Sequence, residues 1–168
     1  MGSIIKCCFT GHRPQSLPFG FNETNERCIA LKNELAKNIE KHIVEYGVNY
    51  FITGMAIGID MFAAEIVLNL KEKYPEIQLE AAIPCIEQPD KWSTILQERY
   101  RSILSQCDKT TIVQLHYNKE CFHNRNRYMV DSSDYIIAVW NGKPSGTMKT
   151  IQYGRKQGID VSIINIIS

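Results

Sequence analysis

Short apolar runs alternate with longer amphipathic stretches along the whole chain. Ile4–Phe9 reads as a first strand and leads into Thr10-Gly11-His12-Arg13-Pro14. Pro14, Pro18 and Gly20 make residues 14–24 a loop. From Asn25 to Tyr46, Cys28, Leu31, Leu35, Ile39 and Ile43 recur every three or four residues, the mark of one helical face, with Gly47 as the stop. Tyr50–Thr53 is a second strand, and a helix from Gly58 to Tyr74 ends before Pro75. Gln78–Ile83 is a third strand, followed by a helix over Pro89–Gln106 and a fourth strand over Thr110–Leu115. A short helix at Asn124–Ser132 precedes the strand Tyr135–Trp140. After a Gly/Pro loop at Asn141–Ser145, a helix over Gly146–Gln157 stops at Gly158, and Asp160–Ile167 is the last strand.

Repeated strand, loop and helix is the pattern of βαβ units. It predicts an α/β fold: a Rossmann-like three-layer sandwich with a mainly parallel central sheet. The last two strands are apolar on both faces, as a helix-covered sheet requires. No repeat, low-complexity tract or linker divides residues 1–168, so one domain is expected.

Composition narrows the class further. Lys+Arg is 19 and Asp+Glu is 18, and the resulting charge of +1 argues against nucleic acid as a partner. The six cysteines form no C-x-x-C pair. With no secretory signal and no apolar run of membrane-spanning length, a reduced cytoplasmic compartment is expected, with no membrane partner. Cys107, His116, Cys121 and His123 are too irregularly spaced for a zinc site, so no metal is expected. No G-x-S-x-G elbow supports a serine nucleophile.

In open α/β sheets, ligands bind at the carboxyl ends of the strands. Three loops there could hold an anion. In the first, Gly11 permits close approach, His12 follows it, and Arg13 offers a planar fork to phosphate. In the second, Gly54 and Gly58 open a helix whose free N–H groups could face an anion. Asp60 could cap that helix or contact a ribose hydroxyl. In the third, Ser145, Gly146 and Thr147 combine hydroxyl and backbone donors at a helix start. Each has a plainer reading as a turn or a helix cap. Arg125 and Arg127 sit just before the fifth strand, and one of them facing the cleft would add charge-assisted contacts.

Taken together, Thr10-Gly11-His12-Arg13-Pro14, Gly54-x-x-x-Gly58-x-Asp60-x-x-Ala63-Ala64-Glu65, Arg125-Asn126-x-x-Met129-Val130-Asp131-x-Ser133-Asp134 and Ser145-Gly146-Thr147-x-x-Thr150 resemble the SLOG superfamily. That superfamily joins DprA/Smf to the LOG phosphoribohydrolases, and the chain looks similar to its stand-alone YpsA-like branch. The resemblance implies a Rossmann-like domain that binds a nucleotide or a nucleotide-derived ligand, adenine nucleotide or ADP-ribose-like, as a sensor or sequestering protein. It implies no separate cofactor. In LOG enzymes an Arg-Lys-x-x-Met stretch and a Pro-Gly-Gly-x-Gly-Thr-x-x-Glu loop carry phosphate binding and the catalytic acid. Arg125 matches the Arg, Gly146 and Thr147 match the Gly-Thr, and Thr150 stands where the Glu would be. A hydroxyl cannot replace that carboxylate. The alternative, a nucleotide N-glycosidase, would therefore need Asp60 or Glu65 as its acid. The resemblance and five loop aromatics (Phe19, Phe21, Trp92, Tyr117 and Phe122) lead to the expectation of a homodimer or higher homo-oligomer.

Overall fold

A computed structural model describes residues 2–166. Its six strands are β1 (Lys6–Gly11), β2 (Tyr50–Thr53), β3 (Gln78–Ile83), β4 (Lys109–Ile112), β5 (Tyr135–Trp140) and β6 (Asp160–Asn165). All pairings are parallel, in the order β4-β3-β2-β1-β5-β6. The helices are α1 (Glu26–Tyr46), α2 (Ile59–Leu70), α3 (Thr94–Gln106), α4 (Cys121–Asp131) and α5 (Gly146–Lys156), with a short 3-10 turn at Pro14–Ser16.

Side chains alternate across each central strand, which divides the core in two. Cys7, Phe9, Phe51, Leu79, Ala81, Ile137 and Val139 face α1, α2 and α3, where Leu35, Ile39, Met61 and Ile103 meet them. Cys8, Ile52, Ala82, Ile136 and Ala138 face α4 and α5, against Met129, Val130 and Ile151. The three layers are those expected. The sheet is wholly parallel rather than mainly so.

Element boundaries moved where tertiary pairing outweighs local signals. β1 runs to Gly11 because Thr10 and Gly11 pair with Ala138 and Val139 of β5. α2 stops at Leu70, and the amides of Lys73 and Tyr74 still bond Leu70 in a final loosened turn. α3 begins only after Ser93, whose hydroxyl accepts from the Leu96 amide. α4 starts three residues earlier than Asn124, with no side-chain cap to announce it. β4 ends at Ile112, short of the expected Leu115, and β6 is described only to Asn165. The expectation that β6 is covered on both faces fails. It is an edge strand, and only Ile164 of its six residues is buried.

Glu80, fully buried on β3, is held by three hydroxyls. Tyr50 donates at 2.5 Å, Thr111 at 2.8 Å and Tyr128 at 2.6 Å. Burial pushes its carboxyl up, but these donors outweigh burial and leave it below its ordinary value. This hub ties β2, β3, β4 and α4 together. All six cysteines are free, and burial pushes the Cys8 thiol up to about 12. No described helix is long and apolar enough to cross a membrane.

β1 ends hard against the start of α2. A Cβ on Gly11 would lie 2.5 Å from Cβ and both γ-carbons of buried Ile59. Gly11→Ala is therefore expected to destabilise the domain by about 1–3 kcal/mol. Urea unfolding would show this as a lower midpoint at unchanged slope.

Candidate functional site

The strand order reverses between β1 and β5, so the loops after these two strands diverge and leave a crevice at their carboxyl ends. A cavity of 430 Å³ lies there, lined by residues 9–13 of the β1 end, Asp60, Arg125 and the Ser145-Gly146-Thr147 turn. Two further cavities adjoin it. One of 440 Å³ opens toward Trp92 and Phe21, and one of 240 Å³ lies between α4 and α5. The Phe122 ring belongs to all three.

His12 spans the crevice. Its Nε2 accepts the Asn141 backbone N–H at 3.0 Å, which ties the β1 loop to the β5 loop. An accepting Nε2 carries no proton, so His12 is neutral and structural here rather than a phosphate cation. Burial lowers its pKa. Arg13 extends outward, with its guanidinium 4.8 Å from the Phe122 ring centroid.

Arg125 is only 4% exposed. Its Nη1 donates to the Gly54 carbonyl and lies 3.5 Å from Oε1 of Gln88, while Nε donates to Asn126 at 2.9 Å. Burial pulls the Arg125 pKa down, and the Asp60 carboxylate works against that. Burial pushes the Asp60 pKa up, and Arg125 works against it in turn. Asp60 Oδ2 accepts the Ala56 amide at 3.3 Å, and the Asp60 carbonyl accepts the Thr53 hydroxyl at 2.8 Å. Asp60 therefore anchors the β2 loop from within.

The loop glycines at Gly54 and Gly58 face protein. A Cβ on Gly54 would meet Arg125 Nη1 at 2.6 Å, and one on Gly58 would meet the His12 carbonyl at 2.6 Å. Gly58 also has φ of 100°, which favours glycine. Gly146 is different, because its Cβ direction is open. Ser145 caps α5, its hydroxyl accepting from Met148 and its carbonyl from Lys149. The Gly146 and Thr147 amides are left with no intrahelical acceptor. The open anion-binding groups are thus Arg13 and the first turn of α5, with Arg125 behind them.

Of the two acid candidates, Asp60 lines the 430 Å³ cavity and Glu65 does not. Glu65 is bound to Arg99 at 2.5 and 3.1 Å, lines none of the three cavities, and Arg99 also holds Glu23. Thr150 donates its hydroxyl to the Gly146 carbonyl at 3.0 Å. No cluster of potential metal ligands occurs among the described residues.

The sequence reading missed several lining residues. Lys91 and Gln88 lie in turns before α3, and Lys119 lies in the loop before α4, where no motif marks them. The loop aromatics expected at an interface between copies of the chain have the following places in the fold. Phe21, Trp92 and Phe122 line the cavities, Phe19 is buried beneath its own loop, and Tyr117 packs edge-on against Phe122.

Residues 7–166 match the family described as YpsA, the YspA SLOG family. UPF0398 proteins of Bacillus thuringiensis (strain Al Hakam) and Bacillus cereus (strain AH187) are each 29% identical over 152 residues, covering 89% of this chain and 82% of the relative. Among solved structures, DNA processing protein A from Helicobacter pylori, described in its single-stranded DNA binding mode, matches at 21% identity and a TM-score of 0.60. The match covers 95% of this chain and 64% of that one. DprA from Streptococcus pneumoniae matches at 20% identity and a TM-score of 0.63, covering 97% of this chain and 51% of that one. The chain thus spans between half and two thirds of those DprA chains.

These likenesses correct two expectations. The ligand was expected to be a small nucleotide or ADP-ribose-like molecule, sensed or cleaved, and nucleic acid was set aside as a partner. A protein of this fold binds single-stranded DNA, and no nucleotide ligand accompanies the likeness. The near-neutral total charge does not describe the crevice, whose lining carries more cations than carboxylates.

Burial also lowers the pKa of His42, whose Nδ1 lies 2.8 Å from the Asn38 carbonyl. A histidine less basic folded than unfolded costs stability as pH falls through its unfolded value of about 6.5. The melting temperature should therefore hold steady above pH of about 7 and drop as the pH falls toward about 5. A His12→Gln/His42→Gln variant should show a shallower decline. Asp60, raised by burial, acts in the opposite sense and is common to both proteins, so their difference isolates the imidazoles. Parallel curves for the two would contradict the assignment.

Proposed function

Because the chain belongs to the YspA SLOG family across nearly its whole length, we propose that it binds single-stranded DNA, gripping the sugar-phosphate backbone along the carboxyl-end face of the sheet. One observation carries this reading. Six cations (Arg13, Lys91, Lys119, Arg125, Arg127 and Lys149) line the three adjoining cavities, against the single carboxylate of Asp60. The whole chain is almost balanced at 19 to 18, so this face is strongly segregated. A positive groove interleaved with aromatic rings is the usual platform for a single strand. The open amides of Gly146 and Thr147 add backbone donors suited to phosphate. The DNA binding of the Helicobacter pylori protein of the same fold supports the choice of ligand.

Fluorescence anisotropy with labelled oligo(dT) tests the proposal. Affinity should fall linearly on a log–log salt plot, with a slope of about −0.7 for each phosphate neutralised. Arg13→Ala should weaken binding about tenfold or more and make the slope shallower. Gly146→Asp fits the open space at that position, so it should leave the fold intact and abolish binding by placing a carboxylate at the α5 start. No binding at low salt, or full binding by folded Gly146→Asp, would overturn the proposal.

A further inference from the structure

Cys85 follows Pro84 just past the end of β3, and Cys121 is the first residue of α4. Both are buried, and their thiols are close enough for a side-chain hydrogen bond. The Cys85 thiol also reaches the Glu87 carboxylate, which in turn binds Nδ1 of His116 at 2.9 Å and the Tyr117 amide at 3.1 Å. Amide bonds from Val113 to the Ile83 carbonyl at 2.8 Å and from Ile86 to the Leu115 carbonyl at 3.0 Å hold the two chain segments side by side. Neither thiol lines a cavity of the crevice. No group of three potential metal ligands forms around them among the described residues, so the chemistry open to the pair is that of two thiols. Cys7 and Cys8, though adjacent on β1, face opposite sides of the sheet and cannot meet in this way.

We propose that Cys85 and Cys121 form a redox site, a thiol pair that closes to a reversible disulfide and alters the crevice through Phe122. The oxidant is a hydroperoxide, in its simplest form hydrogen peroxide. One thiolate attacks a peroxide oxygen, the O–O bond breaks, and a sulfenic acid and water result. The second thiolate attacks that sulfur, forms the S–S bond and expels hydroxide, which leaves as water. The two thiols together lose two electrons and two protons, and one peroxide becomes two waters. Access comes through the first turn of α4, which has no side-chain cap and so opens at lower cost than a capped one. Burial pushes the Cys85 thiol up to about 11, so its thiolate is scarce at neutral pH and the pair reacts slowly. An S–S bond of about 2.05 Å is shorter than any contact between two thiols, so closure draws the start of α4 toward the end of β3. Phe122 is the next residue, and the Arg13 guanidinium lies 4.8 Å from its ring centroid. The effect on DNA rests on the DNA-binding reading, whereas the disulfide itself does not.

Mass spectrometry of the full chain after treatment with hydrogen peroxide tests the pair. The product should be lighter by two hydrogens. Trypsin should release residues 74–91 joined to residues 120–125 by a bond that dithiothreitol breaks. Cys121→Ala should yield no such joined peptide. In oligo(dT) anisotropy the disulfide form should bind about 2- to 5-fold more weakly and recover on reduction, as a disturbed Arg13–Phe122 contact requires. Peptides 74–91 and 120–125 that stay separate after peroxide treatment overturn the redox site. A joined peptide with unchanged oligo(dT) affinity overturns the link to the crevice and leaves the DNA-binding reading standing. Failure of the reduced chain to bind oligo(dT) overturns the DNA-binding reading, and the joined peptide alone then decides the redox site.

Discussion

A guanidinium withdrawn from water must be matched by acceptors or it unfolds its surroundings, and Arg125 is matched by the backbone of a different βα unit. Its Nη1 rests on the Gly54 carbonyl, and Asp60 lies close behind. That single burial fixes the separation of α4 from the β2 loop. It also explains why Gly54 has no side chain, since a Cβ would occupy the space of the guanidinium. Met55 follows with φ of 60°, uncommon for a residue with a side chain, and its carbonyl is held by Gln88. The floor of the site is therefore a stiff polar lattice of α4, the β2 loop and the turn before α3. The exposed cations are mounted on that floor.

Much of the fold was legible because it depends on local periodicity. The spacing of Leu31, Leu35 and Ile39 and the Gly47 stop define α1 to the residue at its end. The apolar run Tyr135–Trp140 marks β5 without ambiguity. Where local signals are absent, legibility stopped. α4 begins at Cys121 with no capping side chain, and the termination of β1 depends on pairing with a strand more than a hundred residues away.

The site was legible in its loops but not in its division of labour. Gly54, Gly58, Asp60 and Ser145 are all present at the strand ends, yet packing, anchoring and capping account for their contacts. A glycine that lets a ligand approach and one that lets an arginine approach look identical in sequence. Charge was the other blind spot. Composition counts Glu23, Glu65 and Glu80 with equal weight, whereas the fold binds them to Arg99 or to hydroxyls away from the cleft. What remains facing the crevice is overwhelmingly positive.

Phe122 touches every compartment of that crevice. Arg13 lies over its ring at 4.8 Å and Arg125 at 5.8 Å, and Tyr117 meets its edge. One ring thus polarises against two cations that share the 430 Å³ cavity, and Arg13 also reaches the 440 Å³ one. Contributions from the chambers cannot then be independent quantities. Removing either arginine changes the seat of the other, so a thermodynamic cycle across Arg13 and Arg125 would close with a residual coupling energy, part of it carried by the ring and part by the direct repulsion between the two guanidiniums and their shared Asp60.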